Sequence, residues 1–250
     1  VYAMSSFFTS VVFWATLKWE EQADTPRSMR WFLLMSLLVG IAIGVHLLNL
    51  LTIPAIVYVV YFKKTKKVTV KGFLLSGILS VLLLAVILWG IIPGIVNLES
   101  AFDVFFVNKL HASFNTGTVV YFVLLALIIA GLLVLTHLKR FKGSQIVNTT
   151  VLSFVMLLIG YSTFFILVIR ANTNTPLNEN APKDAVALRA YLGREQYGDT
   201  PVFSGQFYTA KNPIGSERGY TKYVRGKDEQ GRDCYIPASY AMKYKYDPRH

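Results

Sequence analysis

At 250 residues, 54% of them hydrophobic and only 16% charged, the chain does not have the composition of an ordinary soluble domain. A net charge of +11 raises the question of nucleic acid, but 11 of the 25 Lys and Arg flank apolar segments, where membrane topology explains them. The single cysteine, Cys234, allows no internal disulfide and gives no zinc pattern.

The long uncharged runs predict an all-α polytopic membrane helix bundle of about six spans, with a small mixed α/β soluble C-terminal portion. The first apolar and aromatic segment gives a span near 1–18, followed by the polar loop "KWEEQADTPRSMR". The chain opens on Val1 within an apolar run, carries no recognisable signal peptide and ends in a basic, tyrosine-rich segment, so it reads as a piece of a longer protein.

Residues 31–62 form a run of 32 with no Asp, Glu, Lys or Arg, where a single span needs about 20. His46 and Asn49 lie at its midpoint and Pro54 follows, which is better suited to a first helical turn than to a helix interior. The run therefore reads as two short spans, 31–46 and 49–62, joined by a tight turn. Next come the basic loop "KKTKKVTVK" at 63–71, a span at 72–92 ended by Pro93-Gly94, an intermediate loop at 97–117, and spans at 118–138 and 146–169. Residues 170–250 form the remaining portion, expected to be extracytoplasmic and truncated.

Lys and Arg collect on the cytoplasmic side of a membrane. The loops 18–30, 63–71 and 139–145 hold Lys18, Arg27, Arg30, Lys63, Lys64, Lys66, Lys67, Lys71, Lys139, Arg140 and Lys142. The opposite loops hold only Lys109. That asymmetry requires 31–62 to cross twice, and it places His46, Asn49 and the tail outside. Asn148-Thr149-Thr150 matches a glycosylation sequon but falls at the inner face.

Within the outer loop, "NLESAFDVFFVNKLH" puts Leu98, Ala101, Phe102, Phe105 and Phe106 on one helical face, which predicts an interfacial helix near 98–110. Glu99 and Asp103 are the acidic candidates of that loop, either a general base or a solvated face of the helix. In the tail, Asn180 is the expected N-cap and Pro182 falls in the first turn of a helix that stops near Gly193 or Gly198. "PVFSGQFYTA" reads as a short strand, and "YTKYVRGKDEQGRDCYIP" as two strands around a polar turn.

His46 and Asn49 are polar groups at membrane depth, where they either bond free backbone groups at the turn or grip a phosphate or sugar headgroup. Arg170 begins "RANTNTPLNENAP", where it either snorkels to headgroups or pairs with a phosphate. There is no GxxxxGK[ST] loop, no HExxH and no GxSxG. No cofactor motif is evident, and the residues leave a divalent metal open.

The stretch "GIAIGVHLLNLLTIPAIVYVVYF" resembles the G-x-x-x-G-x-(H/K)…P double short helix of membrane glycosyltransferases of the GT-C type. Together with "YAMSSFFTSVVFWATLKWEEQAD", "FVNKLHASFNTG", "RANTNTPLNENAP" and "YLGREQYGDTPVFSGQFYTA", it is similar to a bacterial family of multi-pass proteins of unknown function related to a eukaryotic protein O-mannosyltransferase. The resemblance implies an integral protein of the bacterial inner membrane. Such an enzyme moves a sugar from a polyprenyl-phosphate carrier to an extracytoplasmic protein or glycan acceptor. Its catalytic acid would precede Val1, which would leave this piece inactive alone. By match of position, His46, Asn49, Arg170, Asn172, Asn178, Glu179 and Asn180 would line the carrier and acceptor sides. The implied partners are membrane lipids, the lipid-linked sugar and the acceptor, with no nucleic acid. Two other classes remain open on the residues: a transporter or lipid flippase, and a non-catalytic membrane scaffold.

Overall fold

The computed structural model describes residues 1–137, 144–173, 175–178, 180–193 and 215–245. Among them are nine α-helices and one hairpin. The helices are α1 (Tyr2–Gln22), α2 (Met29–Ile43), α3 (Thr52–Lys64), α4 (Val70–Ala85), α5 (Ile92–Leu110), α6 (Thr116–His137), α7 (Gln145–Tyr161), α8 (Ile166–Ala171) and α9 (Ala185–Leu192). The strands are β1 (Gly215–Lys227) and β2 (Asp233–Lys245). The inner-face loop carrying Lys139, Arg140 and Lys142, and the expected strand at 201–210, lie outside the described residues.

Four helical stretches are long and apolar enough to cross a bilayer: Leu47–Lys64, Val70–Leu110, Thr116–Val134 and Gln145–Ala171. They mark the chain as an integral membrane protein. The expected six spans included two that do not meet this measure alone. Helix α2 is apolar but has only 15 residues, and α1 is long enough but ends in Lys18, Glu20 and Glu21.

The run 31–62 is broken between residues 44 and 51. Helix α2 stops at Gly44, a 3₁₀ turn occupies Leu47–Leu51, and α3 begins at Thr52 with Pro54 in its first turn. There the missing proline N–H has no partner to lose. One expectation fails here: Pro93-Gly94 does not end the helix before it. A π-helical segment, Val86–Ile91, leads straight into α5, with Ile92 N–H donating to Ile87 O. The ladder changes register just ahead of Pro93, so its absent N–H falls within a first turn. Likewise the last span is not one regular helix, because the 3₁₀ segment Ser162–Phe165 separates α7 from α8.

The chain forms two compact units, 1–92 with 124–167, and 93–123 with 168–250. The second unit thus combines the segment 93–123, which includes most of the expected outer loop, with the chain from 168 onward.

In the first unit, a core of Ala15, Trp19, Ala23 and Met35 is packed by Trp31, Phe32 and Val60. Trp19 meets Phe32 edge-on at 5.0 Å, and Thr16 Oγ1 lies 3.1 Å from Met35 Sδ. Helices α2 and α7 cross closely at two glycines. A Cβ on Gly40 would collide with the backbone at Leu157 and Gly160, and one on Gly160 with the backbone at Leu37 and Ile41. Since lipid tails are as apolar as leucine, close backbone approach of this kind drives helix association in a membrane.

In the second unit, β1 and β2 pair antiparallel around the turn at 228–232. Both strands are longer than expected. Gly231 takes φ +76°, a left-handed conformation that glycine adopts at little cost. The helix expected from Asn180 starts later: Asp184 is its N-cap and accepts from Ala187 N at 2.8 Å. Asn180 itself takes φ +59°, which no N-cap adopts. Gly193 does end α9.

Replacing Gly160 by Val should destabilise the protein by about 1–3 kcal/mol through overpacking. Gly131→Ala, in α6 with nothing within 4 Å of the added methyl, should be neutral or slightly stabilising. Thermal unfolding in a mild detergent would compare the two, and equal midpoints would refute the tight crossing.

Candidate functional site

The polar pair in the apolar run is held by a network at the turn between α2 and α3. Asn49 is only 2% exposed. Its Oδ1 accepts from Ser5 Oγ at 3.0 Å and from Thr9 Oγ1 at 2.8 Å, and its Nδ2 donates to Ala42 O at 3.4 Å. Ser5 and Thr9 are four residues apart on one face of α1. Thr52 Oγ1 donates to Asn49 O at 2.7 Å, closing the turn. An amide buried among apolar helices is costly unless bonded. This one is bonded at both ends and braces α1 against the turn.

His46 sits beside it as the N-cap of the 3₁₀ turn, with Nδ1 accepting from Leu48 N at 3.1 Å. A ring that accepts at Nδ1 carries its proton on Nε2. The imidazole is half-buried, and the Tyr2 ring lies against it at 5.6 Å. Asn49 thus bonds within the turn through both its amide oxygen and its amide nitrogen, and His46 uses Nδ1 to cap it.

The second unit contains the acidic cluster. Of the two readings of Glu99 and Asp103, a general base or a solvated helix face, burial excludes the second. The buried line of α5 runs through Val96, Glu99, Ser100, Asp103 and Val107, while Leu98 and Phe105 are 55% and 53% exposed. The acids face inward because Asp103 terminates the corner between α5 and α6. Its Oδ1 accepts from Gly117 N at 3.0 Å and Thr118 N at 3.4 Å, and its Oδ2 from Asn115 N at 3.2 Å and the Tyr235 hydroxyl at 2.7 Å. A carboxylate at the start of α6 satisfies N–H groups that have no partner within the helix. Gly117 permits this approach, since a Cβ there would strike the backbone of Phe102 and Asp103. Burial, together with the bond to Asp103, pushes the Tyr235 phenol up, so it stays a hydrogen-bond donor.

Around this corner the hairpin and α9 are tied in. Asn108 Nδ2 donates to Tyr235 O at 2.9 Å and its Oδ1 accepts from Tyr235 N at 2.7 Å. Arg225 pairs with Asp184 at 2.7 Å, donates to Asn115 Oδ1 at 2.8 Å and lies 4.8 Å over the Phe114 ring. Glu99 is 4% exposed, and its Oε2 has no hydrogen-bond partner. Sequence reading missed Tyr235, Asn108, Arg225 and Asp184. Asp184 alone left a signal, as a capping residue directly before "AVALRAYL".

The asparagine-rich segment is braced by its own amides. Asn172 Nδ2 donates to Val168 O at 2.8 Å and Lys183 O at 2.9 Å, and Asn178 Nδ2 to Ala171 O at 2.8 Å. Arg170 and Asn180 are exposed, and Glu179 lies outside the described residues. His46 and Asn49 belong to the first unit, while Arg170, Asn172, Asn178, Asn180, Glu99 and Asp103 belong to the second. Among the described residues no group of three His, Cys, Asp or Glu is placed to hold a metal ion.

Residues 1–69 match the family model described as "Protein O-mannosyl-transferase TMEM260 N-terminal domain". The matched segment contains α1, α2, the Asn49 turn and α3. It is consistent with a membrane glycosyltransferase. No curated protein and no solved structure matches the chain.

Tyr235→Phe should cost the second unit about 1.5–3 kcal/mol, because it removes a buried hydrogen bond to a carboxylate. Amide exchange at Asn115, Gly117 and Thr118 should accelerate by roughly tenfold or more. Unchanged exchange there would mean that the backbone N–H groups hold Asp103 without the phenol.

Proposed function

We propose that the chain forms part of an integral-membrane glycosyltransferase of the GT-C type, which moves a sugar from a polyprenyl-phosphate carrier to a hydroxyl acceptor outside the cytoplasm, in a bacterial inner membrane. The observation that carries this reading is the family match over residues 1–69, whose segment ends its first helical pair at a turn with an available imidazole donor. The reaction is displacement at the anomeric carbon, with the carrier phosphate as leaving group. A donor held near that phosphate favours the transition state, where charge builds on the departing oxygens.

In this reading His46 Nε2–H contacts the carrier phosphate. Asn49 positions His46 by fixing the turn on Ser5 and Thr9. Within the second unit, Arg170 offers a cation for a lipid headgroup, and Asn180 a polar contact for sugar or acceptor. Asn172 and Asn178 shape the loop that carries them. Asp103 is structural, and Glu99 keeps a carboxylate oxygen for an acceptor hydroxyl. None of these residues is assigned the role of base.

The test is sugar transfer by the full-length enzyme in membranes, with polyprenyl-phosphate mannose as donor and a Ser/Thr peptide as acceptor. His46→Ala should raise the KM for the donor by about tenfold, the loss of one hydrogen bond to a charged group, and His46→Gln should recover part of it. A KM unchanged in both variants would remove His46 from the donor site. Transmembrane movement of the lipid-linked sugar without transfer would replace the whole reading with a transporter.

A further inference from the structure

In the first unit, α2, α3, α4 and α7 enclose an apolar groove of about 440 Å³ that the proposed reaction does not use. Its walls include Met35, Val57, Val60, Leu79 and Leu83, and Lys64 lines it at the end of α3. We propose that this groove holds one acyl chain of an anionic phospholipid, with the lipid phosphate at Lys64.

The dimensions select the occupant. From Ile53 to Lys64 the groove follows α3 over eleven residue steps, about 17 Å at the helical rise, close to half of a hydrocarbon core of about 30 Å. That is the depth of one leaflet. A single unbranched chain matches that length, and the groove lies within the size range of small-ligand sites.

The charge selects the headgroup. Residues 63–71 carry Lys63, Lys64, Lys66, Lys67 and Lys71 with no acid among them, and all five are exposed. Lys64 Nζ donates to Ala23 O at 2.8 Å and Asp24 Oδ1 at 3.0 Å. Its partner Asp24 is highly exposed, and a solvated ion pair of this kind is weak enough to share its cation with a phosphate. Clusters of lysine beside a span attract anionic lipids of the cytoplasmic leaflet. The distribution of Lys and Arg puts this loop on the cytoplasmic face, opposite to the proposed sugar transfer. An inner-leaflet phospholipid therefore suits the groove, and the sugar-bearing carrier does not.

The purified full-length protein in a neutral detergent can be given phosphatidylglycerol or phosphatidylcholine, and bound lipid counted by native mass spectrometry. One phosphatidylglycerol should be retained, with about tenfold preference over phosphatidylcholine, as one charge-assisted contact provides. Lys64→Gln should abolish the preference and keep phosphatidylcholine binding. Val57→Trp, which fills the groove, should lose both lipids. Ser36→Leu fills the same groove from α2 and serves if Val57→Trp does not fold by circular dichroism. Equal retention of the two lipids by the unaltered protein overturns the proposal, as does full retention by a folded groove variant. Displacement of phosphatidylglycerol by equimolar polyprenyl phosphate also overturns it and gives the groove to the carrier.

Discussion

Asn49 is buried, and a buried amide left without partners is costly, so its side chain finds them within the protein. It does so by binding three chain segments at once: Ser5 and Thr9 of α1, Ala42 at the end of α2, and, through its backbone, Thr52 at the start of α3. The break in the apolar run, the placement of α1 and the presentation of His46 all follow from that requirement. A leucine at this position would make the run more apolar and leave two hydroxyls of α1 without their acceptor.

The glycine crossing brings α7 onto α2 as well. Hydrogen bonding at the turn sets where α2 ends, and backbone contact at Gly40 sets how near α7 can come. Neither effect is hydrophobic in the aqueous sense, which suits a unit whose outer surface faces lipid. The exposed face of α4, with Leu74, Leu75, Ile78, Val81 and Leu82, is in keeping with that setting.

The second unit is organised by a buried carboxylate. Asp103 accepts four hydrogen bonds and joins the corner of α5 and α6 to β2 through Tyr235. Its neighbour Glu99 differs: among the described residues its buried Oε2 has no hydrogen-bond partner.

Much of the helical architecture was legible in the residues. Charge-free runs, the split at His46–Asn49, the lysine loop and the hairpin turn each rest on local chemistry, namely transfer of apolar side chains into lipid, capping and turn geometry. The burial of Glu99 and Asp103 was not legible. An amphipathic pattern identifies a polar and an apolar face, but in a membrane protein either one can point inward, and here the aromatic face is the exposed one. Nor were the partners of Asn172 and Asn178 legible, whose amides donate to the carbonyls of Lys183 and Ala171. Sequence by itself determined which segments must leave water, because that free energy is summed residue by residue along the chain. Only the tertiary structure decided which polar groups remain available for a ligand, because that depends on partners as distant in sequence as Asp103 and Tyr235.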